Sequence, residues 1–210
     1  MRLISPSIPC APMLAKTGSP MGGGPLWRRL WGCGRGAMML EFAVALPVLL
    51  ALYSGTYTLG DMIACQHKVT AATRQLTDLV ARANTLDPAE LSGILAASAQ
   101  VLAPYAGARA TITVSEIEAS PNGAATVVWS QSLNGTALDT GAPVPLPPAT
   151  ASSMARGCGV MILGQVRYAY QPTISLGPAQ TVSLSDALVM RPHDGPQVIL
   201  TGARTATPCA

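Results

Sequence analysis

The longest unbroken pattern in the chain is apolar. From Ala37 to Gly60 the one charged side chain is Glu41, and residues 42–60 carry none. That run is roughly the 20 residues a helix needs to cross the hydrocarbon of a bilayer, and it exceeds the about 7–15 residues of a cleaved secretory h-region. It predicts a membrane-spanning helix over 37–60. Pro47 falls inside this helix, removes one backbone hydrogen bond and predicts a kink near Ala43, which a membrane helix tolerates better than a soluble one. Beyond Gly60 the pattern changes period. Val69, Ala72, Leu76, Leu79 and Ala83 recur at spacings of three and four, with Lys68, Arg74, Asp78 and Arg82 mostly on other faces. This amphipathic stripe predicts that the helix continues over 61–83. A helix from Ala37 to Ala83 is roughly 70 Å long at 1.5 Å per residue.

Asn84-Thr85-Leu86 interrupts the helix. Asp87 then stands as an N-cap, Pro88 fits the first helical position and Glu90 is placed to reach back, so a second helix is expected to run to about Leu102. Ala110, Ile112 and Val114 alternate with Thr111, Thr113 and Ser115, the period of a half-buried strand. Ser120-Pro121-Asn122-Gly123 is a turn signal, and Ala125 to Leu133 reads as the returning strand of a hairpin. Residues 134–157 are rich in Gly, Ala, Pro, Ser and Thr and predict an irregular connection, with a short helix at Ala149 to Ala155. Val160 to Tyr170 is a third strand with Arg167 facing outward. Gln180 to Met190 and Gln197 to Thr201 are further candidates, on either side of the turn Pro192-His193-Asp194-Gly195-Pro196. Residues 84–210 are therefore expected to form an exported α+β domain with an antiparallel sheet against a long helix. Trp129, Tyr168 and Tyr170 are read as core or cross-strand packing rather than as a partner-binding patch.

Charge alters this picture in one respect. The chain of 210 residues carries a net charge of +3 with only 11% charged side chains, and its mean hydropathy is +0.35. Arg2, Lys16, Arg28, Arg29 and Arg35 precede the span without one acid, whereas eight Lys/Arg face ten Asp/Glu beyond Gly36. The folded part is slightly acidic, which argues against nucleic-acid binding. The basic cluster beside the span orients it with the N-terminus in the cytoplasm and the rest outside. Residues 1–36, with five prolines and Gly22-Gly23-Gly24, hold no helix or strand pattern and read as a basic leader that starts at Met1, Met13 or Met21.

Five cysteines and two histidines show no metal-ligand spacing, so no metal or cofactor is expected. Cys158 and Cys209 both lie in the exported part and are a candidate disulfide. Arg191-Pro192-His193-Asp194 reads as a solvated turn, because adjacent residues on a strand point apart and no placed nucleophile accompanies them; no catalytic residue is assigned. Ile63-Ala64-Cys65 partly mimics a lipidation site, but Asp61 and Met62 fit it poorly.

Glu41 is the anomaly. An ionised carboxylate in hydrocarbon costs on the order of 2.5 kcal/mol or more, and buried charges in membranes are normally paired. Gly36 lacks a Cβ and lets an extended backbone enter a protease site. Cleavage between Gly36 and Ala37 would make Glu41 the fifth residue and place a new α-amino cation within about one and a half turns of its carboxylate. In a bundle of such helices this pair would set the register.

The stretch Gly36-Ala37-Met38-Met39-Leu40-Glu41-Phe42 is similar to the processing site of type IV prepilins. The longer run from Arg35 through Leu50 resembles the TadE/TadG-like pseudopilins of the tight-adherence (Flp, type IVb) pilus system. Weaker likenesses follow at Val101-Leu102-Ala103-Pro104-Tyr105, Val128-Trp129-Ser130, Tyr168-Ala169-Tyr170-Gln171-Pro172, Met190-Arg191-Pro192 and Cys209. His193 departs from the pattern, which places a basic residue there. The resemblance implies a pilin-like α+β fold and a non-enzymatic minor pilin of the bacterial inner membrane with a periplasmic domain. It also implies a prepilin peptidase that cuts between Gly36 and Ala37, and partnership with other pilins, pseudopilins and the inner-membrane assembly platform. Glu41 and Phe42 would then register the helix in the assembly. The alternatives are an unprocessed single-pass anchor with an exported binding domain, or an anchored envelope enzyme.

Overall fold

The computed structural model describes residues 34–119, 125–145, 159–172, 174 and 181–206. The chain divides into two units between Leu49 and Leu50. Helix α1 runs unbroken from Gly34 to Ala81, 48 residues, with Pro47 inside it. It is followed by β1 (Thr85–Leu86), α2 (Pro88–Gln100), a 3-10 turn (Gly107–Arg109), β2 (Ala110–Ala119), β3 (Ala125–Leu133), β4 (Pro143–Val144), β5 (Gly159–Tyr170), β6 (Val182–Met190) and β7 (Ile199–Leu200).

Within the unit from Leu50 onward, the C-terminal part of α1 buries Cys65, Val69, Ala72, Thr73, Leu76, Thr77, Val80 and Ala81. The stripe expected from sequence is correct at Val69, Ala72 and Leu76 and fails at Leu79, which is 42% exposed while Val80 is fully buried. Positions 79 and 80 are both apolar, and the helix face that continues from Ala72 through Leu76 reaches 80 rather than 79. Thr73 and Thr77 are buried at no hydrogen-bonding cost, because their hydroxyls donate to the carbonyls of Val69 (2.9 Å) and Thr73 (2.7 Å). α2 starts where its cap chemistry places it: Asp87 accepts from the Ala89 amide and Pro88 occupies the first turn. It buries Leu91, Leu95 and Ser98.

The sheet is antiparallel, in the order β4-β3-β2-β5-β6. On its core face Ala110, Ile112, Val114, Ile162, Val166, Tyr168 and Tyr170 join the helix residues in one cluster. On the opposite face Thr113 meets Ser132 and Ser115 meets Ser130, each pair at 2.8 Å. Gly164 is the point of closest approach: a Cβ there would collide with Thr77 Oγ1, so the missing side chain lets α1 lie down on β5. A register shift between Glu116 and Ile117, opposite Val128, is a bulge in the β2–β3 pair. It explains why Val127, Val128 and Trp129 are all buried, which strict alternation forbids.

β1 and β7 form a separate two-stranded parallel ladder. The expected strand over Gln197 to Thr201 is thus only two residues long and lies outside the main sheet. The His193 amide closes the end of α1 by donating to Ala81 O (2.8 Å), while Ile199 donates to Asn84 O and Thr201 to Leu86 O (both 3.0 Å) along the β1–β7 ladder. The Ala81 carbonyl, which α1 leaves without a helical partner, is satisfied this way. The expected turn at 120–123, the helix at Ala149 to Ala155 and the Cys158–Cys209 pair lie outside the described residues.

Candidate functional site

Three places carry chemistry that the fold does not fully absorb. The first is the N-terminal part of α1. Gly36 and Ala37 belong to its first turns, so the backbone at the expected processing position is helical here rather than extended. Glu41 is exposed, and Phe42 is 65% exposed. From Met39 to Ile63 the large apolar side chains stand outward, among them Leu40, Val44, Val48, Leu49, Leu52, Tyr53, Tyr57 and Leu59. Over Met39 to Tyr53 every residue is exposed, and an apolar helix stretch exposed on all sides needs lipid or other helices around it. The helix is long and apolar enough to cross a membrane.

The second place lies just past the apolar run, within the folded unit. Asp61 is the first charged residue after that run, and two phenols converge on its carboxylate. The Tyr170 hydroxyl donates to Asp61 Oδ2 at 2.6 Å. The Tyr105 hydroxyl donates to Oδ1 at 2.8 Å, with the Asp61 carbonyl at 3.0 Å. Such short bonds to a carboxylate are charge-assisted, and each is about twice as strong as a neutral one. Burial, and after it the bond to Asp61, holds both phenols above the usual tyrosine range, so they stay donors. Tyr168 packs edge-on to Tyr105 with ring centroids 6.1 Å apart, and Cys65, one turn along α1, is fully buried. The expectation that Tyr168 and Tyr170 are packing residues holds, at 3% and 2% exposure. What sequence reasoning missed is the Asp61 clamp. Its one local signal is position, the first acid after an uncharged run of membrane length.

The third is a buried carboxylate. Glu116 is 1% exposed and lies on the core face of β2. It accepts the Val198 amide at 2.8 Å, and the Trp129 indole donates to the Val198 carbonyl at 3.0 Å. The Val198 peptide is thereby gripped from both sides. Loss of water pushes the Glu116 carboxyl up to about 7, opposed by the Val198 amide and the Trp129 indole and reinforced slightly by Glu118.

His193 and Asp194 are exposed in a bend. Among the described residues no group of three or more His, Cys, Asp or Glu side chains is placed to hold a metal. Of the residues singled out from sequence, the structure brings Tyr170 to Asp61 and Trp129 to Glu116. It brings no other described residue to Glu41.

Residues 36–77 match the family model described as TadE-like protein. Over this segment the chain is similar to TadE-like proteins. The match falls entirely on α1 and includes both the apolar stretch and Asp61. No curated protein and no solved structure matches the chain significantly. The TadE-like segment and the α+β arrangement agree with the fold class expected from the sequence.

Proposed function

We propose that this chain is a minor pilin or pseudopilin of tight-adherence pilus assembly, non-enzymatic and inserted in the inner membrane by α1. In this reading residues 1–36 are a leader that prepilin peptidase removes between Gly36 and Ala37. Residues 37–60 span the membrane with the leader cytoplasmic, 61–83 extend the helix, and 84–210 form the periplasmic domain. The assembly partners are other pilins, pseudopilins and the inner-membrane platform.

The observation that carries the reading is the coincidence of a TadE-like match opening at Gly36 with an apolar stretch of α1 whose residues from Met39 to Tyr53 are all exposed. An apolar stretch of this length is stable in lipid or against like helices. Glu41 then needs a cation, and a mature α-amino group at Ala37 supplies one, from its own chain or a neighbour's. The test is intact-mass and N-terminal peptide analysis of the membrane-extracted protein from cells with an active prepilin peptidase. An N-terminus at Ala37 is expected; recovery of the uncut leader would overturn the assignment.

A further inference from the structure

The sheet face turned away from α1 carries a polar cavity. Along β2 and β5, Thr111 pairs with Arg167 and Thr113 with Gln165, and these four alternate with the core residues Ile112, Val114 and Val166. They form the floor of a cavity of about 350 Å³. Its wall is the loop that follows β3. Asn134 stands in the left-handed region at φ 56°, which asparagine enters more readily than most residues. Its side-chain amide donates to Ala110 O at 3.1 Å. Gly135 then presses so closely on Thr111 that a Cβ would collide with the threonine methyl. The Leu138 amide donates to Ser130 Oγ at 3.1 Å. The loop is thus fixed at both ends, with Thr136 and Leu138 lining the cavity between them and the sheet.

The hydrogen-bonding capacity left inside defines what fits. The Thr111 hydroxyl donates to Asn134 O at 3.2 Å. The Ser132 hydroxyl donates to Ile112 O at 3.3 Å, so in the 2.8 Å Thr113–Ser132 pair the proton comes from Thr113. Both threonine protons are spent within the protein, and toward a ligand each oxygen can only accept. A ligand must therefore bring hydroxyl donors. The Arg167 guanidinium is the opposite: it only donates, in a fork that suits a carboxylate. Arg167 is exposed, no acid is among the described residues lining the cavity, and no described carboxylate forms an ion pair with it. Gln165 both donates and accepts, and Leu138 supplies an apolar wall.

We propose that this cavity binds a sugar acid, a hydroxylated ring bearing one carboxylate, with the carboxylate on Arg167 and ring hydroxyls donating to Thr111 and Thr113. Sulfate carries charge without a donor, and a neutral sugar carries donors without charge; the site asks for both. The volume stands at the small end of the roughly 300–1,000 Å³ typical of ligand pockets, which suits one ring rather than a folded partner. The proposal goes beyond the reading of α1 as a pilin helix and is independent of it, since no residue it uses belongs to α1.

The test uses the full chain in a detergent without a sugar headgroup, and saturation-transfer NMR with galacturonate, its neutral counterpart galactose, and sulfate as competitor. Galacturonate is expected to bind at least about ten-fold more tightly than galactose, the worth of one charge-assisted contact. Sulfate at equal concentration should displace little of it. Arg167→Gln should lose about the same ten-fold, whereas Arg191→Gln, exposed and outside the cavity, should lose nothing. Thr111→Val keeps the shape, removes the acceptor and should weaken binding several-fold. Tighter binding of trigalacturonate than of the monomer would assign the site to a residue of an acidic polysaccharide, and equal binding to a free sugar acid. The proposal is overturned by absence of transfer to galacturonate, by equal affinity for galactose, by full displacement with equimolar sulfate, or by unchanged binding in Arg167→Gln.

Discussion

Replacing Glu116 by Gln tests whether a carboxylate folded into the core makes this domain more stable in acid than in base. A carboxyl whose folded pKa is about 7 against an ordinary 4.5 binds its proton more tightly in the native state. Between those two values the native state holds one proton more than the unfolded chain, so stability falls as pH rises. The contribution is fully present below about pH 4.5, drains away up to about pH 7 and is gone above it. At 1.36 kcal/mol for each pH unit, the gap amounts to roughly 3 kcal/mol. That is a large fraction of a typical domain's 5–15 kcal/mol, roughly stated. Gln keeps an oxygen for the Val198 amide and cannot ionise. Its curve is expected to be flat across the window, near the wild type at pH 4 and up to about 3 kcal/mol above it at pH 8.

The measurement is urea unfolding of the detergent-solubilised full chain at several pH values, followed by Trp129 fluorescence. Trp27 and Trp31 are replaced by Phe in both proteins, so that the reporter is the indole that holds the Val198 carbonyl. Exposed His67 and His193 are common to both proteins and cancel in the difference. A Glu116→Leu protein separates charge from hydrogen bonding, since it leaves the Val198 amide without its acceptor and should lose about 1–3 kcal/mol even at pH 4. If Glu116→Gln retains the wild-type slope between pH 4.5 and 7, the carboxyl does not titrate there and the argument from burial is wrong.

Four further outcomes follow from the packing. Tyr170→Phe removes a 2.6 Å bond to a carboxylate and should cost about 1.5–3 kcal/mol of unfolding free energy, with Tyr105→Phe in the same range; urea titration of each variant checks this. Gly164→Ala forces a Cβ against Thr77 and should lower stability by about 1–3 kcal/mol, a cost that the double variant with Thr77→Ala should largely recover. Leu76→Ala, at a fully buried position, should cost about 2–5 kcal/mol, whereas Leu79→Ala should stay within about 1 kcal/mol. Equal losses at 76 and 79 would show that the helix packs on a different face.

Wherever the determinants of a structure are local, this sequence displays them. The Asp87-Pro88 cap sets the start of α2, alternation sets β2, and Ala125 to Leu133 is strand β3 at both ends. Even Glu116 is legible after the fact, since it stands in phase with Ala110, Ile112 and Val114 on the inward positions. An acid in an apolar phase is a signal of a buried partner, here the Val198 amide 82 residues on. What was not legible is set by distant contacts. Asp61 meets its phenols 44 and 109 residues away, and β1 finds β7 through two-residue strands that carry no periodicity. The choice of Val80 over Leu79 belongs to the same class: both are apolar, and the way α1 lies on the sheet decides between them.

The two acids that bracket the uncharged run meet opposite circumstances, and this separates folding from assembly. Asp61 is satisfied inside its own chain by two phenols, so its removal should be felt as lost domain stability whether or not partners are present. Glu41 is exposed, and among the described residues of its own helix segment none donates to it. If its partner is an α-amino group in an assembly, Glu41→Gln should leave the urea curve of the isolated protein unchanged and reduce its recovery with other pilin subunits. Asp61→Asn should do the reverse at first order, losing about 1.5–3 kcal/mol of stability, with assembly falling only as far as folded protein falls. Measuring both quantities on both variants gives a two-by-two result. Should Glu41→Gln destabilise the isolated chain as much as Asp61→Asn, its carboxylate has an intramolecular partner and the register argument fails. Should Glu41→Gln change neither quantity, the acid at the mouth of α1 is simply solvated at the cytoplasmic interface.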